Sequence, residues 1–127
     1  MTKQEAQITQ LKNAIGRFAE VLSLPQDEMG TVRDSAIQRF EFCVDLSWKT
    51  LKTVLKDKHG IECASPKGCV REAFAVGIIT EDDPFWLTMI ELRNLSAHTY
   101  NEETAVLLYE QLPEALKHFE QLLIKLT

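Results

Sequence analysis

The chain has 127 residues, a formal net charge of −5 and a pI near 5.2. That length fits one domain, residues 1–127, with a proper core, and the acidic balance argues against broad electrostatic capture of nucleic acid or anionic membrane. No stretch approaches membrane-spanning length, and Met1-Thr2-Lys3-Gln4-Glu5 has no apolar run behind it, so a soluble, unexported protein is expected.

Ile8, Leu11, Ile15, Phe18 and Leu22 recur at steps of three and four, the mark of a helix with one apolar stripe. Ser23-Leu24-Pro25 ends it, and Gln26 to Gly30 reads as a connection. The second helix is the longest, with Thr31 or Asp34 as its cap and a stripe of Ile37, Phe40, Val44, Trp48, Leu51 and Leu55. Phe42, Cys43 and Leu46 add a second apolar flank, so this helix is expected to be the spine of a bundle. Lys49, Lys52, Lys56 and Lys58 make its last turns basic, matched to the negative end of the helix dipole, and read as a solvated face. His59 fits the same dipole role, and Gly60 is a left-handed terminator.

Ser65-Pro66, a cap followed by proline at the first helical position, starts a short helix that turns Val70, Ala73 and Phe74 inward and stops near Gly77. Thr80-Glu81-Asp82-Asp83 reads as the cap and acidic first turn of a fourth helix, with Pro84 tolerated there. Phe85, Trp86, Met89, Ile90 and Leu92 make that helix apolar over a wide arc. Phe85, Trp86 and Met89 exceed what one stripe needs, which marks this helix as the expected dimer face. Thr99 with Glu102 forms a capping-box pattern for the last helix, which carries Ala105, Leu108, Leu112, Leu116, Phe119 and Leu122. Pro113 predicts a kink or brief break near Gln111, and His118 reads as a surface residue. With no strand alternation and no repeat, the expected fold is all-α: an antiparallel up-and-down bundle of about four main helices plus one short helix.

The three cysteines are an odd number without ligand-like spacing, and Cys43 fits an apolar packing role, which points to a reducing cytoplasm. The five glycines are isolated, so no phosphate-cradling loop is present. No zinc-type Cys/His spacing occurs, and Asp82-Asp83 lacks a third ligand, so neither a metal nor a cofactor is expected.

Chemistry concentrates in Arg93-Asn94-Leu95-Ser96-Ala97-His98-Thr99-Tyr100. Positions five apart on a helix sit roughly 140° apart around its axis, so Arg93 and His98 diverge if the helix runs straight through both. Either the helix ends near Ala97 and His98 swings round, or the two meet across a symmetric dimer. The first fits the Thr99 cap better. Ser96 lies beside His98, but no orienting acid for a nucleophilic triad can be located. Metal-free RNA cleavage needs a base for the ribose 2′-hydroxyl, a cation for the phosphate and an acid for the leaving oxygen. Histidine serves as base or acid near neutral pH, and arginine supplies a charged planar fork. One chain offers one such histidine, so two copies around one cleft would complete the set. The plainer reading is that Arg93 caps its helix while His98 and Tyr100 pack in the turn.

Arg93-Asn94-x-x-x-His98-x-Tyr100 resembles the signature of HEPN domains, a helical family with Arg, a polar residue, a short spacer and His, and the added Tyr resembles the HepT-type toxin branch. Arg33-Asp34-Ser35-Ala36-Ile37-Gln38-Arg39-Phe40-Glu41-Phe42, Trp48-Lys49, Ser65-Pro66-Lys67 and Arg71-Glu72-Ala73 are similar to the subgroup called nucleotidyltransferase substrate-binding proteins. The resemblance implies a homodimer with Arg93 and His98 of both copies lining a shared cleft, Asn94 orienting it and Tyr100 accepting an adenylate. It implies a metal-independent endoribonuclease toxin acting on RNA, paired with a minimal nucleotidyltransferase antitoxin encoded nearby. The same subgroup also implies a second role, a non-catalytic subunit that binds substrate or nucleotide for a two-component nucleotidyltransferase. The chain lacks the transferase's own Gly-Ser and Asp-x-Asp signature, so it is not that enzyme.

Overall fold

A computed structural model describes residues 1–80 and 84–127. Five helices follow one another: α1 (Lys3–Leu22), α2 (Thr31–His59), α3 (Pro66–Ala75), α4 (Phe85–His98) and α5 (Glu102–Leu126). No strand occurs among the described residues, as the all-α reading requires. The helix α2 is the spine and touches every other helix, while α1 and α5 also pack on each other and α4 leans on α3 and α5.

The core grows from the stripes the sequence lays out. Leu11, Ile15 and Phe18 of α1 meet Ile37, Phe40 and Val44 of α2 and Leu108, Leu112 and Phe119 of α5. Phe18, Phe40 and Phe119 form a triangle with ring centroids 5.9–6.4 Å apart, and Trp86 of α4 meets Phe119 edge-on at 5.8 Å. Tilted and edge-on pairs at these separations match ring quadrupoles while excluding water. One cluster of buried side chains therefore draws on all five helices.

Several local expectations change. Neither Thr31 nor Asp34 caps α2. Gly30 stands at the cap with φ 74°, and the Asp27 carboxylate accepts a hydrogen bond from the Val32 amide at 3.0 Å instead. That bond holds the Asp27 carboxyl below its usual range. The box that starts α5 is Asn101 with Thr104, not Thr99 with Glu102: the Thr104 amide donates to Asn101 Oδ1 at 3.0 Å, and the Asn101 amide donates to Thr104 Oγ1 at 2.9 Å. Asparagine outranks threonine as a cap, and it takes the role two residues later. Pro113 sits inside α5 without breaking it. The expected cap at Thr80 with an acidic first turn is not what starts α4, which begins at Phe85 with Pro84 at its cap and no acidic residue in its first turn; Glu81, Asp82 and Asp83 lie outside the described residues.

His118 is 7% exposed, not a surface residue. Its ring lies 4.8 Å from that of Phe85, and Nδ1 is 2.8 Å from the Glu114 carbonyl oxygen. Trp86 and Met89 are spent on the core, at 3% and 0% exposed, so they supply no surplus face for a dimer. Cys63 and Cys69 are joined in a disulfide across the start of α3, leaving Cys43 as the free, buried thiol. A separation of six residues carries no pairing signal in a chain with three cysteines, so this bond is not legible in the sequence. No described helix is long and apolar enough to cross a membrane.

Candidate functional site at the α2–α4 seam

Beside its apolar stripe, about a quarter-turn round, α2 carries Asp34, Gln38, Glu41 and Asp45 at steps of four, three and four, which stack on one face of a helix. Arg93 of α4 reaches across to this face. Its Nη1 donates to Glu41 Oε2 at 2.9 Å, and its Nε and Nη2 donate to the two oxygens of Asp45 at 3.3 and 3.2 Å. Three of the guanidinium's five donors are thus engaged, in a geometry that fixes the plane of the group. The Asp45 hydrogen bond raises the Arg93 pKa above its ordinary value, against the opposing effect of burial, so the charge is permanent. Ser96, one turn on and 7% exposed, donates to Glu41 Oε2 at 2.5 Å.

Just beyond α4, the Tyr100 hydroxyl donates to Asp34 Oδ1 at 2.6 Å. Burial first, and then the Asp34 carboxylate, push this phenol up to about 12. Arg33 anchors the same corner from below. Its Nη1 and Nη2 donate to the two carboxylate oxygens of Glu102 at 2.8 and 2.9 Å, and its Nε lies 3.6 Å from Asp34. A surface cavity of about 480 Å³ opens over Asp34, Gln38, Glu41, Ser96 and Tyr100.

The residues singled out by sequence divide into two sets. Arg93 and Tyr100 are brought to one face of α2, with Ser96 between them. Asn94 and His98 are exposed and stand outside that network. The helix ends one residue past the expected boundary near Ala97: α4 includes His98 as its last residue, and the Thr99 amide still bonds the Leu95 carbonyl at 2.8 Å, so His98 does not swing round in the connection. His98 therefore points roughly 140° away from Arg93, and the two do not converge within one copy. Ser96 is committed to Glu41 and to the Arg93 carbonyl, on a different side of α4 from His98, which removes a Ser–His pairing. Sequence reasoning missed Glu41, Asp45 and Asp34 as site residues, although their helical spacing was present.

The profile of a family described as nucleotidyltransferase substrate binding protein like matches residues 6–127. The chain is 35% identical over 98 residues to a Haemophilus influenzae protein named "Probable ribonuclease HepT". That match covers 74% of this chain and 64% of the relative, so it spans less than two thirds of the relative's length. A crystal structure from Thermus thermophilus superposes with a TM-score of 0.84 at 36% identity, covering 91% of this chain and 98% of the other. A Haemophilus influenzae structure described as the fold of a substrate binding domain of a nucleotidyltransferase superposes with a TM-score of 0.68 at 28% identity, covering 97% and 96%. A match across nearly the whole length, on a shared helical fold, places the chain in the HEPN-type family of nucleotidyltransferase substrate-binding proteins, alongside HepT.

Proposed function

We propose that the chain is the toxin of a pair formed with a minimal nucleotidyltransferase antitoxin encoded nearby. In this reading it is a metal-independent endoribonuclease that works as a homodimer in the cytoplasm and is silenced when the partner adenylylates Tyr100. The observation that carries the reading is the pose of Arg93. Its plane is fixed by Glu41 and Asp45, yet two of its donors remain for a phosphate. His98 stands exposed on another side of the same helix, so a second copy is needed to bring an imidazole to that guanidinium. Arg93 then stabilises the crowded phosphate, the two His98 side chains serve as base and acid, and Asn94 orients the cleft. The Cys63–Cys69 bridge stands in tension with a cytoplasmic setting, because such bonds are rare in reducing compartments of mesophiles.

Purified protein is expected to cleave RNA in the presence of a chelator. His98→Ala or Arg93→Ala should slow cleavage by about 10²-fold or more, the usual scale for losing a general acid–base group or a charge stabiliser. Full activity in both variants would remove the site. Co-expression of the partner should relieve growth arrest caused by the wild-type chain.

A second reading, a non-catalytic substrate- or nucleotide-binding subunit, is favoured by one specific observation. Two carboxylates already outweigh the single charge of Arg93, and the adjacent cavity presents Asp34 and Glu41. Such a lining suits a cationic or hydroxyl-rich group. This reading expects no RNA cleavage by the chain alone, together with a stable complex with the transferase.

A further inference from the structure

The Tyr100–Asp34 bond differs from a buried structural pin. Tyr100 is 49% exposed, the Asp34 side chain is 52% exposed, and the pair borders an open cavity. The oxygen separation of 2.6 Å lies at the short end of the range in which a general base takes a proton. Asp34 is also held in place from both sides, by its position in the first turn of α2 and by Arg33 Nε at 3.6 Å, while Glu102 of α5 fixes Arg33. A nucleophile and a base thus meet at the edge of the cavity, with the Arg33 guanidinium beside the base.

We infer that Asp34 is the general base for nucleotidyl transfer to Tyr100, so that this chain brings its own base to the modification and the partner brings the nucleotide. The inference rests on the proposed adenylylation of Tyr100. Tyr100 Oη attacks the α-phosphorus of a metal-bound nucleoside triphosphate held by the partner, forming a phosphodiester. The bond from that phosphorus to the bridging oxygen of the β-phosphate breaks, and pyrophosphate leaves with the electron pair. The phenolic proton passes to the Asp34 carboxylate and then to solvent. Without such a base the reaction would need phenolate. Burial by itself raises the phenol above its ordinary value, so little phenolate is present near neutral pH even without Asp34.

The test incubates the full chain with the partner transferase, magnesium and ATP, and follows the gain of one adenylate by intact mass, with peptide mapping for the site. Asp34→Asn keeps the size and an acceptor oxygen but removes the base. It should slow modification by about 10²-fold or more. Its rate should also climb steeply between about pH 7.5 and 9.5, above the ordinary histidine range, whereas the wild-type rate stays nearly flat. The other charges that act on the phenol, Arg33 and Glu41 of α2, are unchanged in this variant. Affinity for the partner, measured by calorimetry, should be unaltered. Equal rates for wild type and Asp34→Asn, with Tyr100→Phe unmodified, would overturn the base while leaving the Tyr100 reading standing. Loss of partner affinity in Asp34→Asn would make Asp34 a docking contact and also overturn it. A wild-type chain that gains no adenylate, or gains it elsewhere, would overturn the adenylylation reading and the inference with it.

Discussion

Phe40 and Glu41 are neighbours in sequence, about 100° apart around α2, and they face two different environments. On the Phe40 side, α2 meets α1 and α5 through rings and aliphatic chains, with Phe18, Phe40 and Phe119 all fully buried. On the Glu41 side it meets α4 through Arg93 and Ser96, with side chains that keep 22–36% of their surface in water at the ion pairs. Each aromatic pair adds about 0.5–1.5 kcal/mol beyond its buried area. Ion pairs with this much access to water add about 1 kcal/mol or less. The dry face therefore holds the fold, and the ionic face is left free to set the geometry of a site.

Cutting the dry face should cost most. Phe119→Ala removes the ring shared by three aromatic contacts and is expected to destabilise the chain by about 3–5 kcal/mol in denaturant unfolding. A loss below about 1 kcal/mol would deny the triangle its central place. Gly30→Ala strikes the ionic face through the backbone. The residue has φ 74°, and an added Cβ would lie 3.0 Å from Arg33 Nη2. A cost of about 1–2 kcal/mol is expected, and Gly30→Asn should recover part of it, because asparagine tolerates the left-handed region better.

Arg93→Ala sharpens the contrast further. Stability should fall by about 1 kcal/mol, since Glu41 and Asp45 retain contact with water, while on the proposed ribonuclease reading RNA cleavage slows by about 10²-fold or more. A large loss of stability instead would move Arg93 from the site to the scaffold. The smallest effect concerns Tyr100. Folding raises its pKa from 10.0 to about 12, so the folded chain holds the phenolic proton more tightly than the unfolded one. The associated stabilisation is present below about pH 10 and fades as pH rises through about 12. Ultraviolet titration should show Tyr100→Phe removing this late step, and Asp34→Asn shifting it down only in part, because burial is the larger cause.

The dry face is legible because apolar residues at steps of three and four have few other uses. Leu11, Ile15, Phe18, Ile37, Phe40 and Phe119 all lie where periodicity puts them. Hydrophobicity alone misplaces two features. The wide apolar arc of α4 suggests an outer face, but Trp86 and Met89 are consumed by packing against the core. Polarity assigns His118 outward, yet stacking on Phe85 and the bond to the Glu114 carbonyl satisfy it inside. Of the site, Arg93 and Tyr100 stand out by type, and Asp34, Glu41 and Asp45 do not. A polar row at helical spacing looks the same whether it faces water or a partner helix, and only the approach of α4 makes it a seam.

On the proposed ribonuclease reading, with α4 running through His98, a centre that uses both Arg93 and His98 is completed only by a second copy. While copies are scarce, its output would follow the square of their number, so modest changes in synthesis or turnover would be amplified. If the proposed toxin reading holds, a cell could keep the chain harmless by dilution alone, before any antitoxin arrives.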